Sequence, residues 1–94
     1  MTDGRKDDAG KLRWSLVPAG TVQDMVEVLE FGALKYAPNN WQKVPDAEHR
    51  YYDATMRHMD AWWRGERLDQ ETGCSHLAHA MCCVAFLMYL EKQV

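Results

Sequence analysis

Ninety-four residues, 47% of them apolar and 27% charged, suit one folded domain and exclude a disordered chain. A net charge of −3 argues against a reader of nucleic-acid backbone, which needs a basic surface, but leaves room for a small anionic ligand in a local basic pocket. Cys74, Cys82 and Cys83 are odd in number and two are adjacent, so no disulfide framework is expected and a cytoplasmic setting is.

Residues 1–18 read as an N-terminal arm. Its first ten residues are polar and lack the apolar run of a signal peptide. Lys11 to Pro18 then alternate basic and apolar residues before a proline, which predicts an extended segment packed by Trp14 and Leu16. Lys11 and Arg13 on it are either surface charges or phosphate-binding groups.

The first helix is predicted from about Ala19–Thr21 to Lys35, with Thr21 as N-cap, Asp24 in the first turn and Pro38 as the stop. Val22, Met25, Val26, Leu29 and Ala33 form its apolar arc. Glu30 falls at the edge of that arc and Glu27 further round, so the two carboxylates project side by side. They are either solvated flank residues or ligands for a hard cation. The segment from Tyr36 to Pro45 is a loop rich in Pro, Asn and aromatic residues; Trp41 either plugs the end of a helical bundle or offers a stacking surface beside amides.

Asp46 suits the N-cap of a second helix reaching Arg64, with Gly65 as its stop. Tyr51, Thr55, His58, Met59, Trp62 and Trp63 share one face, opposite Asp53–Arg57 and Asp60–Arg64 at ion-pair spacing. His58 lies inside the apolar face, as a hydrogen-bonded core residue or a functional one. The connection from Gly65 to Gly73 carries three carboxylates, which serve solubility or reach toward a metal at the mouth of the bundle. The third helix, from about Cys74–Ser75 to Glu91, is apolar on nearly all sides and must be central or shared with another subunit. At this length it is a buried helix rather than a membrane span. His76, His79, Cys83, Leu87 and Leu90 line one side of it, and imidazoles there need partners.

Two ligand sets follow. Glu27 and Glu30 suit Mg²⁺, with His76 and His79 facing them from the third helix. Cys74, His76, His79 and Cys83 have zinc-like chemistry, but four ligands on one helix cannot surround a tetrahedral ion. No glycine-rich phosphate loop, nucleophile elbow or C-x-x-C is present.

The block from Gly10 to Pro18, the block from Phe31 to Trp41, Arg57-His58-Met59-Asp60-Ala61-Trp62, the block from Gly65 to Gly73, and His76-Leu77-Ala78-His79-Ala80 together resemble the phage and bacterial dATP/dGTP diphosphohydrolases. The likeness covers nearly all of residues 10–90. More distantly, the chain is similar to the all-α nucleoside triphosphate pyrophosphatases of the MazG type, including the MazZ enzymes.

The resemblance implies an all-α, MazG-like bundle of three to four helices formed by a single domain over residues 1–94. Oligomerisation to a dimer or tetramer completes it, with the third helix as the main contact. It implies cleavage of a (deoxy)nucleoside triphosphate, a purine dNTP in the closer family, between the α- and β-phosphates, with Mg²⁺ or in its place Mn²⁺. In MazG-like enzymes E-x-x-E on one helix is joined by E-x-x-D on a later one. Here Glu27-x-x-Glu30 matches the first, His76-x-x-His79 stands where the second belongs, and Glu66-x-x-Asp69 matches its letters in a loop. On this reading Glu27, Glu30, His76 and His79 hold the metal and Asp69 or His79 positions the attacking water. Lys11, Arg13 and Lys35 offset the β- and γ-phosphates, Trp41 stacks on the base with Asn40 at its edge, and His58 contacts substrate. No nucleic-acid polymer or membrane is an expected partner, and a phage-encoded chain would act in the host cytoplasm. The alternative is a non-catalytic nucleotide-binding or regulatory protein in which the histidines replace acids needed for turnover.

Overall fold

Three α-helices dominate the computed structural model, which describes residues 3–94: α1 (Thr21–Lys35), α2 (Ala47–Trp63) and α3 (His76–Glu91). No strand occurs among the described residues, so the all-α expectation holds, with one isolated bridge between Leu68 and Ser75. Met1 and Thr2 of the predicted arm lie outside the described residues. No described helix is long and apolar enough to cross a membrane.

The helix ends follow local chemistry, with two departures from expectation. Gly20, with φ +85°, is the N-cap of α1, and Thr21 is the first helical residue, its hydroxyl donating to the Pro18 carbonyl at 2.8 Å. Asp46 does precede α2, but in a left-handed conformation without a capping bond, because its carboxylate pairs with His49 Nδ1 at 2.8 Å. Gly65 ends α2 as expected. The Glu66 N–H bonds to Ala61 O and the Gly65 N–H to Trp62 O, the paired closure that a left-handed glycine permits.

α2 and α3 form an antiparallel hairpin, His58 meeting His76 and Tyr51 meeting Phe86, and α1 packs against α3. The core is small: Val28 of α1 with Ala78 and Cys82 of α3, flanked by Met25, Leu29 and Phe86. The apolar arc of α1 therefore turns one notch from the predicted one. Met25, Val28 and Leu29 follow the i, i+3, i+4 pattern toward α3, while Val22 and Val26 remain exposed. α3 shows His76, His79 and Cys83 to α2, Ala78 and Cys82 to α1, and leaves Leu77, Met81, Val84 and Met88 partly bare.

The arm departs from its expected packing. Trp14 to Leu16 form one turn of 3₁₀ helix, and the side chains of Trp14 and Leu16 are 73% and 69% exposed. No other described residue covers them. The radius of gyration, 17.0 Å, exceeds the roughly 12 Å of a compact chain of this length.

Candidate functional site

The loop between α2 and α3 builds the site. After Gly65 the chain doubles back: the Asp69 N–H bonds to Cys74 O at 2.8 Å and the His76 N–H to Arg67 O at 3.0 Å. Inside this bend Asp69 Oδ1 accepts the N–H groups of Glu71 (2.9 Å) and Thr72 (3.0 Å), and Gly73, at φ +72°, closes the turn. Ser75 then caps α3, its Oγ accepting from the Leu77 N–H. The bend sets His76, first residue of α3, level with His58 on α2.

His58 Nδ1 and His76 Nδ1 stand 2.8 Å apart, and the His58 ring stacks on His79 with centroids 4.6 Å apart and planes within 13°. His79 Nε2 lies 2.7 Å from Thr72 Oγ1, which also accepts the Cys74 N–H. His76 is 5% exposed, yet its Nε2 has no hydrogen-bond partner; the Glu66 carboxylate lies 3.7 Å away.

Burial, then the neighbouring His79 and His76, push the His58 pKa down to about 4, so its ring is neutral at pH 7. Burial likewise lowers His79, against the pull of Asp69. For Asp69, burial acts upward, but the Thr72 and Glu71 N–H bonds outweigh it and hold the carboxyl below its usual range. The result is an uncharged His58 imidazole beside an anionic Asp69 carboxylate. Among the described residues, His58, Asp69 and His76 are the one group of three or more His, Cys, Asp or Glu whose donor atoms all lie within 4.8 Å of one another.

This group sits between two openings. A cleft of about 960 Å³ runs between the C-terminal half of α1, the loop after it, and α3; its walls include Glu30, Lys35, Asn40, Trp41, Tyr51 and Arg57, and it reaches His58, Asp69 and His79. A shallower depression of about 490 Å³ is lined by Glu66 and His76. Arg57, His58, Asp69 and Glu71 border both.

Of the residues singled out from sequence, Glu30, Lys35, Asn40, Trp41, His58, Asp69 and His79 thus share one cleft. Lys35 Nζ is paired with Glu71 at 2.8 Å. Trp41 stacks on Phe86 at 4.5 Å and meets Tyr89 edge-on at 5.1 Å, so it packs against α3 and lines the cleft at once. Glu27 is exposed and off the cleft lining, as are Lys11 and Arg13 on the arm. The predicted gathering of Glu27 and Glu30 with His76 and His79 does not occur within one chain, because the donors that converge on His76 come from α2 and the loop.

Arg57 was not anticipated in the site. Its i,i+4 spacing suggests a pair with Asp53, but among the described residues only Asp60–Arg64 of the two expected pairs forms, and Arg57 borders the cleft instead. Tyr51, also on the cleft wall, carries no sequence signal beyond its place on the apolar face of α2. The acidic connection does reach the histidines, through Asp69 and Glu66.

A family model described as dATP/dGTP diphosphohydrolase, N-terminal, matches residues 1–94. A curated protein of Salmonella phage PMBT28, named dATP/dGTP diphosphohydrolase, is 34% identical over 87 residues, which cover 93% of this chain and 29% of that protein. The chain therefore spans less than a third of the length of the curated relative it matches. No solved structure matches.

Proposed function

We propose that this chain, which belongs to the dATP/dGTP diphosphohydrolase N-terminal family, hydrolyses deoxynucleoside triphosphates, purine dNTPs foremost, between the α- and β-phosphates to give the monophosphate and pyrophosphate. The observation that carries the reading is the composition of the cleft. It combines an aromatic and amide wall (Trp41, Tyr89, Asn40), two cations (Lys35, Arg57) and a carboxylate–imidazole end (Asp69, His58, His79) in one concave space. Along α3, from His79 to Phe86 and Tyr89, the span is about 10–15 Å, comparable to an extended nucleotide.

In this reading Trp41 stacks on the base and Asn40 meets its edge, while Lys35 and Arg57 offset phosphate charge. Asp69, anchored through Oδ1 by backbone N–H groups, holds the polar end of the cleft, where His79, whose pKa burial lowers, orients the attacking water and receives its proton. Of the carboxylates the family resemblance assigns to Mg²⁺ or Mn²⁺, Glu30 fits, being exposed on the cleft wall, and Glu27 stands three residues before it off the lining. Glu30 would hold such an ion, which would supply charge neutralisation for the triphosphate and a lowered pKa for bound water. Cytoplasmic action agrees with three free cysteines.

Incubation of each dNTP with the protein and Mg²⁺ or Mn²⁺ tests the proposal. Monophosphate and pyrophosphate are expected, with dATP and dGTP turned over fastest and Glu30→Gln inactive but folded. One observation favours the non-catalytic alternative: only one carboxylate of Glu27-x-x-Glu30 reaches the cleft. Nucleotide binding without turnover under either ion would decide for it.

A further inference from the structure

We propose that His58, Asp69 and His76 form a site for one divalent transition-metal ion of the Zn²⁺, Mn²⁺ or Co²⁺ class, separate from any cation that travels with nucleotide at Glu30. The donors come from three separate segments: α2, the loop and the first turn of α3. That is the condition which the Cys74, His76, His79, Cys83 string on a single helix cannot meet.

The imidazole pair needs little adjustment. Two nitrogens bound to one ion at about 2.1 Å lie roughly 3.0–3.4 Å apart, depending on coordination number. The His58 and His76 Nδ1 atoms are at 2.8 Å, so the rings must part by a few tenths of an ångström. Asp69 accepts both of its backbone hydrogen bonds through Oδ1, which leaves Oδ2 for an ion while the carboxylate is held in place.

The unpartnered His76 Nε2 is the second, independent observation. It is buried without a hydrogen-bond partner, a costly state that calls for an explanation. With an ion on Nδ1, the ring proton resides on Nε2, facing the Glu66 carboxylate 3.7 Å away. A ligating imidazole that gives its other N–H to a carboxylate is the usual outer support of a metal site. Two imidazole nitrogens and one carboxylate oxygen select borderline ions over Mg²⁺, which prefers oxygen alone. Three protein donors leave coordination positions open, and His58 and Asp69 both border the cleft.

The test is metal uptake without nucleotide. Protein stripped with EDTA is titrated with CoCl₂, following visible ligand-field absorption and counting bound cobalt after gel filtration. One equivalent is expected, displaced by Zn²⁺ and not by equimolar Mg²⁺. Asp69→Asn and His58→Gln should weaken binding by well over about tenfold, Glu66→Gln by about tenfold, and His49→Ala, on the exposed side of α2, not at all. His76→Ala removes a buried ring, so its metal-free melting is measured alongside, and the half-buried Asp69 and His58 variants carry the conclusion if it does not fold. No saturable uptake by the parent chain, or equal uptake by Asp69→Asn and His58→Gln, would overturn the site. Cobalt binding by a chain that turns over no dNTP would keep this site and remove the hydrolase reading; turnover without cobalt binding would do the reverse.

Discussion

His58 and His76, eighteen residues apart on different helices, meet Nδ1 to Nδ1 at 2.8 Å, a contact in which only one of the two nitrogens can carry the hydrogen. A proton added to His58 there meets His76 and His79 at close range, which opposes its protonation.

In EDTA-treated protein the pH dependence follows from that pair. The His58 pKa is lowered from 6.5 to about 4, by burial first and then by His79 and His76. A base whose folded pKa lies below its unfolded value stabilises the fold above the unfolded pKa, and that stability is lost as pH falls from about 6.5 through about 4. Because the ring keeps partial access to solvent, we discount the loss to the order of 1 kcal/mol. Thermal melts between pH 7.5 and 4.5 should fall more steeply for the parent chain than for His58→Asn; parallel curves would remove His58 as the source.

The cysteines should react very unequally. Burial pushes the Cys82 thiol up to about 12, and its Sγ donates to Met25 O at 3.2 Å. Burial also raises Cys83, against the opposing Thr55 hydroxyl. Cys74 is the more accessible of the three. A disulfide reagent at pH 8 should therefore find about one fast thiol in the native protein and all three after denaturation. Two or more fast thiols would mean that α1, over Cys82, or α2, over Cys83, lifts off α3 in solution.

Two glycines should respond to alanine with opposite signs. A Cβ at Gly65 would meet nothing within 4 Å, but φ is +102°, so Gly65→Ala is expected to cost about 1–2 kcal/mol through backbone strain alone. Gly32 lies inside α1, also with open space around its Cβ, and Gly32→Ala should stabilise by about 0.5–1 kcal/mol. Urea midpoints that moved in the same direction for both would contradict this assignment of backbone roles.

Self-association is expected along α3. Leu77, Met81, Val84 and Met88 are 38–53% exposed and follow one another at spacings of four, three and four residues, the seam of a helix that packs against another. Sedimentation at tens of micromolar should show a dimer or larger species, with Val84→Glu shifting it toward monomer. A monomeric parent chain would count against the helix as a contact surface.

Helix positions were legible in the sequence because their punctuation is local: Pro38 after α1, Gly65 after α2, Ser75 before α3. The buried face of α1 was not, because Val22 and Val26 are as apolar as Val28 and only the position of α3 decides between them. Trp14 and Leu16 suggested a packed arm, yet packing needs a surface that this chain does not bring to them. The candidate site divides in the same way. Lys35, Asn40 and Trp41 lie close together in sequence around a distinctive loop, whereas the meeting of His58 with His76 depends on the exact bend at Asp69 to Gly73. Asp53–Arg57 had valid helical spacing, but a neighbouring cleft competes for an arginine that a lone helix would pair.

Lys35 and Glu71 join α1 to the loop that holds Asp69, at 2.8 Å and with both side chains exposed. On the proposed function, an incoming polyphosphate would meet an ammonium already occupied by a carboxylate, and binding there would be an ion exchange rather than an addition. Exposed pairs of this kind are weak enough to be exchanged readily. Once displaced, Glu71 would untie α1 from the turn two residues beyond Asp69, so filling the cleft would loosen the mooring of the loop that builds it.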